Sequence, residues 1–169
     1  MRLHATKLPQ LSRDILDALM SSKAIESESP EGVRLDIESV LSQYLQDEQQ
    51  VTERAKEVLS TRGLPQSELS RIRRLVADER KIQIGDEAID YILDQLVEIL
   101  MHSNSVDEVW AEDFELRRQM REPLRKHSSL EEQLQQEVRG QLRHVKEGTA
   151  LWEVEYRRMM EEMKRRKGL

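Results

Sequence analysis

Residues 29–63 read SPEGVRLDIESVLSQYLQDEQQVTERAKEVLSTRG, and their spacing decides the fold class. Ile37, Leu41, Tyr44, Val51, Ala55 and Val58 recur at four- and three-residue intervals, interrupted only by Glu48, and Val40, Leu45 and Leu59 widen the stripe. That rhythm lines one face of an α-helix and does not suit a strand. Ser29 and Pro30 offer a cap and an early proline, whose missing N–H would lack a partner in the first turn anyway. Gly63 accepts a left-handed cap and Pro65 cannot continue the ladder, so the helix stops there. A helix from Ser29-Pro30 to about Thr61 is roughly 48 Å long at ~1.5 Å per residue. This is more than a compact domain needs and predicts an elongated body.

The same rhythm extends in both directions. A first helix from about Pro9 to Ala24 places Leu11, Ile15, Ala18 and Leu19 on one face. A third, roughly Pro65 to Arg80, carries Leu69, Ile72 and Val76; Lys81 to Gly85 is a connector. The fourth starts at Asp86 with Ile89, Ile92, Leu93, Leu96 and Leu100 inward, and as the most apolar element it belongs at the centre. Ser105 and Glu108 have capping-box spacing, followed by a fifth helix bearing Val109, Trp110, Phe114, Met120 and Leu124, which Pro123 should kink or end. Ser129 and Glu132 repeat the box before a sixth helix with Leu130, Leu134, Val138, Leu142 and Val145, ending at Gly148. Thr149 caps a seventh that Gly168 ends. No stretch alternates as a strand would.

The composition narrows the function classes. One domain's worth of chain, 169 residues, carries a net charge of −6, and 36% of it is charged against roughly 25% in an average globular chain. Without cysteine there is no disulfide framework, thiolate zinc site, iron–sulfur cluster or cysteine nucleophile. The opening MRLHATKLPQLSRD has no apolar run after its basic residues, so it is no secretory signal, and no segment approaches the ~18 apolar residues of a membrane span. A cytoplasmic protein without membrane contact is expected.

Two halves echo one another. Ile15-Leu16-Asp17-Ala18-Leu19 matches Ile92-Leu93-Asp94-Gln95-Leu96, Arg2-Leu3 matches Lys81-Ile82, and Arg62-Gly63-Leu64 matches Lys167-Gly168-Leu169. The chain then divides into an N-terminal helical half (1–64), a connecting helix (65–81) and a C-terminal half with an inserted helix (82–169). The opening Met1-Arg2-Leu3, the Ile15–Leu19 run and the stretch Glu147-Gly148-Thr149-Ala150-Leu151-Trp152-Glu153-Val154-Glu155-Tyr156 resemble the bacterial family called domain of unknown function 507, over essentially the whole chain. Leu151 departs from a position that is more polar in that pattern. The resemblance implies an all-helical bacterial protein, and it implies no activity and no site residues.

Catalytic and metal chemistry find little support. His4, His102, His127 and His144 lack the repeated Glu-x-x-His of a di-metal carboxylate bundle and read as surface histidines. There is no glycine-rich phosphate loop, nucleophile elbow or His-Glu-x-x-His, so no enzyme and no cofactor is expected. Charge, however, is segregated: residues 82–115 hold ten acidic and no basic side chains, and residues 116–169 have a net charge of +5. The blocks either face each other, with local pairs such as Asp113–Arg117 and Glu122–Lys126, or expose a basic stripe. Arg117, Arg118, Arg121 and Arg125 form that stripe, with Arg71, Arg73 and Arg74 as a second cluster and Lys164 to Lys167 as a third. Such stripes bind phosphate backbones. Trp152, Tyr156, Met159 and Met163 form a second candidate, an apolar interface or a core stripe packed on Leu134, Val138 and Leu142. The sequence therefore reads as an all-α protein of about seven helices in an elongated or forked bundle with two related halves. The expected role is a non-catalytic protein-interaction or scaffold protein with an unidentified protein partner. Nucleic-acid or ribosome association through the arginines is the alternative, and a homodimer through a helix stripe is a further arrangement.

Overall fold

Seven helical segments run along residues 2–169, the part of the chain that the computed structural model describes: α1 (Leu8–Ser21), α2 (Pro30–Arg62), α3 (Leu69–Arg80), α4 (Ala88–His102), α5 (Asp113–Ser128), α6 (Leu130–Gln141) and α7 (Ala150–Arg166). Met1, which opens the N-terminal motif, lies outside the described residues. The class is all-α. Only Ser129 separates α5 from α6, and its own backbone is helical (φ −90°, ψ −3°). The two make one jointed rod, so the joined helices number six and not about seven. The cap expected at Ser129 is accordingly not made. A capping residue needs non-helical backbone, and the Ser129 hydroxyl instead donates to the Lys126 carbonyl at 3.0 Å.

The long stripe forms a single helix. Val33, Ile37, Leu41, Tyr44, Val51, Ala55 and Leu59 are buried along α2, and Glu48, at the break in the stripe, accepts a hydrogen bond from the Tyr44 hydroxyl at 3.3 Å. Gly63 takes the left-handed conformation (φ 61°) and ends the helix as expected, whereas the Ser29 side chain forms no cap bond. Helix α1 packs on α2 and α5, and α4 packs on the same two, closing a four-helix ring. Ile15, Leu19, Ile37, Leu41, Ile92, Leu93, Leu96, Leu116, Met120 and Leu124 fill it. Each such side chain contributes about 1.5–3 kcal/mol by burial. The echoed pentapeptides lie in α1 and α4, on opposite corners of the ring, with Ile15, Leu16 and Leu19 buried like Ile92, Leu93 and Leu96.

Helix α3 extends the same core along the far half of α2. Ile72, Val76 and Ala77 are buried there, and Arg73 and Arg80 reach Thr52 (3.1 Å) and Gln50 (2.9 Å). A second, smaller core lies between α6 and α7 and consists of Leu134, Val138, Leu142, Met160 and Met163. The ring core draws residues from 1–64, 65–81 and 82–169 alike, and the small core only from the last of these. Helix α6 ends at Gln141 and not near Gly148, leaving Val145 half-buried outside it. The Thr149 hydroxyl caps α7 by accepting from the Trp152 amide at 3.3 Å.

One element escapes the helical reading. Ile25–Glu26 (β1) and Glu108–Val109 (β2) pair antiparallel, Ile25 opposite Val109 and Glu26 opposite Glu108. The amides of Asp107, Trp110 and Ala111 donate to Glu26 and Ala24 carbonyls at 2.9, 2.8 and 3.1 Å, which holds the stretch around Glu108–Val109 extended. Helix α5 therefore starts at Asp113, and its capping box is Glu112 with Glu115, replacing the Ser105–Glu108 box expected from spacing.

Candidate functional site

The strand pair and its flanks form a rigid clip. The Ser27 hydroxyl donates to the Ser105 carbonyl, the Ser103 hydroxyl to Asp36, and the Glu28 amide to Asp107 Oδ2 at 2.7 Å. Gly32 lets the loop come this close, because a Cβ at that position would collide with Ser105. The clip carries the two most exposed aromatic side chains of the described residues, Trp110 at 66% and Phe114 at 64% relative exposure. Both are expected from the sequence to lie within a fifth helix, together with Met120 and Leu124. Trp110 precedes the helix, and Phe114 occupies its first turn on the outer side, away from buried Leu116 and Met120. The Trp110 indole N–H donates to Glu26 Oε2 at 3.3 Å, which fixes one edge of the ring while its face stays in water.

The rim of the clip is acidic. Glu26, Glu28, Asp107, Glu108, Glu112 and Asp113 are all exposed around it. Glu26 and Glu108 stand directly opposite each other across the strands, an arrangement that destabilises an antiparallel pair. Lys23 and Arg118 meet Trp110 in a shallow depression of about 300 Å³ on the inner side.

The candidate arginines divide into two pairs. Arg117 bridges Asp94 (2.6 Å) and Asp113 (3.0 Å), and Arg121 pairs with Asp90 (2.5 Å), so the acidic α4 and basic α5 face each other within the fold. Arg118 and Arg125 are exposed and form no ion pair among the described residues. The local Asp113–Arg117 pair is present; no ion pair joins Glu122 and Lys126. Of the other basic clusters, Arg71 pairs with Glu68 (2.5 Å), Lys164 with Glu131 (3.4 Å), Arg166 with Glu162 (2.6 Å), and Lys167 approaches Glu137 (3.8 Å).

The apolar stripe of α7 straddles a core and a surface. Met163 is buried; Trp152, Tyr156 and Met159 are half-buried against the α6–α7 core, and Met160 fills the inward place that spacing gave to Met159. Trp152 and Tyr156 stack with ring centroids 4.8 Å apart and line a groove of about 600 Å³ with Glu131 and Arg157. On another side of α7, Leu151 and Val154 are more than half exposed.

The α6–α7 hairpin meets the ring through a polar junction. Glu131 receives Arg2 (3.1 Å) and Lys164 (3.4 Å), with His4 at 3.8 Å, and the Thr6 hydroxyl donates to the Gly168 carbonyl at 2.8 Å. Two histidines read as surface residues belong here. His127 is buried against Asp14, its Nε2 lying 2.8 Å from Oδ2, and the His4 ring is largely covered. Burial pushes His4 below the ordinary histidine value; Glu131 opposes that shift, and Arg2 and Lys164 reinforce it. Burial works against ionisation of Asp14, but hydrogen bonds from His127 and Gln10 outweigh it and hold the carboxyl below the usual carboxylate range. His4 Nε2 and His127 Nδ1 are buried without a hydrogen-bond partner, and buried Glu131 Oε2 is held by the ion pair with Arg2 alone. Both distant contacts join segments more than 100 residues apart, so no local spacing announces them.

Among the described residues, no three or more His, Cys, Asp or Glu side chains come together where a metal ion would sit, and no helix is long and apolar enough to cross a membrane. Comparison with curated proteins gave no match. A family model described as "Protein of unknown function (DUF507)" matches residues 1–169.

Proposed function

We propose, from the premise that the chain belongs to the DUF507 family of proteins of unknown function, that it is a non-catalytic interaction protein that binds a protein partner through the Trp110–Phe114 clip. The observation that carries this reading is the pair of exposed aromatics on a backbone held by amide hydrogen bonds to the Ala24 and Glu26 carbonyls. Tryptophan and other aromatics dominate binding energy at protein interfaces, and a pre-ordered platform loses little conformational entropy on binding. The acidic rim and the opposed Glu26–Glu108 pair favour a partner that brings basic side chains around an apolar anchor. Arg117 and Arg121, half of the proposed phosphate-binding stripe, are engaged with Asp94, Asp113 and Asp90, which weighs against nucleic acid as the main partner.

The test is capture from nuclease-treated bacterial lysate with the wild-type chain, with Trp110→Ser/Phe114→Ser and with Arg118→Gln/Arg125→Gln. A specific protein retained by the wild type and the arginine variant, lost with the aromatic variant and weakened by salt, is the expected result. Capture that survives the aromatic substitutions, or that disappears with nuclease, overturns the proposal. Sedimentation of the free chain identifies a second copy of itself as the partner if the mass doubles.

A further inference from the structure

Where the N-terminal turn, the end of α5 and the end of α7 meet, they leave a cavity of about 390 Å³, near the lower end of the roughly 300–1,000 Å³ typical of small-molecule sites. Lys7, Lys126 and Lys167 stand around it, and Leu130 and Leu169 form its apolar wall. His127 also lines it; that residue is only 8% exposed, and its Nδ1 is buried with no partner. Its other nitrogen is committed, since Nε2 meets Asp14 Oδ2 at 2.8 Å while Gln10 Nε2 donates to Oδ1 at 2.8 Å. Among the described residues neither Lys7 nor Lys126 has a carboxylate within ion-pair distance, and Lys167 reaches only Glu137, at 3.8 Å.

We propose that this cavity is a binding site for a small carboxylic acid with an apolar body, its carboxylate among the three lysines and its body against Leu130 and Leu169. The chemistry follows from the lining. Three ammonium groups, of which only Lys167 has a carboxylate within ion-pair distance, attract an anion, and charge-assisted hydrogen bonds to it are among the stronger ones available. His127 closes the inner end of the cavity, its ring held by Asp14 at Nε2. A bare inorganic anion would leave the leucine wall uncovered, so the ligand carries an apolar body. Because the lining comes from both the ring and the α6–α7 hairpin, an occupied site fastens one to the other.

The full chain titrated with sodium octanoate, and separately with 1-octanol, sodium acetate and inorganic phosphate, tests this by isotope-edited NMR of the lysine, histidine and leucine side chains. Octanoate is expected to saturate at a concentration at least about ten-fold lower than any of the other three, with shifts centred on Lys7, His127, Leu130 and Lys167 and slower amide exchange in the last turn of α7. Lys126→Gln/Lys167→Gln, at two exposed positions, is expected to weaken octanoate about ten-fold and leave 1-octanol unchanged. Equal binding of 1-octanol, equal binding of acetate or phosphate, shifts centred elsewhere, or no saturation each overturns the proposal, as does undiminished octanoate binding by the double variant.

Discussion

Leu96 and Trp110 show how far apart a side chain's size and its structural weight can lie. Leu96 has 0% exposure in the ring core, and Leu96→Ala is expected to cost about 2–5 kcal/mol, read from the urea midpoint. Trp110 is the larger side chain, yet Trp110→Ala is expected to move that midpoint by less than about 0.5 kcal/mol, because water already covers most of the ring. His4 makes the junction sensitive to acid. Its folded value lies below the ordinary ~6.5, so between the two the unfolded chain binds a proton that the folded chain does not. The stability tied to neutral His4 is therefore present above pH ~6.5 and is lost as pH falls through the folded value. Protection of the α6 and α7 amides, taken relative to their intrinsic exchange rate at each pH, should fall as pH drops below about 6.5, and His4→Gln should flatten that dependence. Protection that does not change with pH in the wild type would contradict it.

Among the elements, α2 was legible because a single rhythm holds through its 33 residues and glycine ends it. The fourth helix and the Thr149 cap were legible for the same reason: the determining groups are local. The strand pair was not, because its partners are about 80 residues apart and each strand is two residues long, too short for alternation to register. Missing it displaced the start of α5 and put Val109 and Trp110 inside a helix that begins only at Asp113. The ion pairs of Arg117 and Arg121 were open from charge segregation alone, since sequence shows two opposite blocks without saying that they meet. Pro123 lies inside α5 without ending it. Its ring removes the hydrogen bond to the Gln119 carbonyl, so Pro123→Ala is expected to stabilise the fold by about 1–3 kcal/mol, measurable as a higher urea midpoint with an unchanged slope. An unchanged or lower midpoint would mean that the proline is matched to its site in the ring.

At the level of the whole molecule, the two cores differ greatly in size. Every buried residue of the ring core lies at or before Leu124, and the α6–α7 core has five members. A chain ending at Ser128 should therefore keep its helical circular dichroism and unfold cooperatively, whereas an isolated 129–169 peptide should be largely unfolded, since chains near 40 residues seldom sustain a core alone. Loss of cooperativity in the shorter chain would show that the junction is integral to the ring. The unbroken α2 also has a mechanical consequence. The clip is anchored at Gly32 and Asp36, near one end of this helix, and α3 is tied to Gln50 and Thr52, towards the other. From Gly32 to Arg62 the axis measures about 45 Å, so a partner that tilts the clip end by about 5° swings the opposite tip by about 4 Å. The helix is a lever, and what is pressed at one end can be felt at the other.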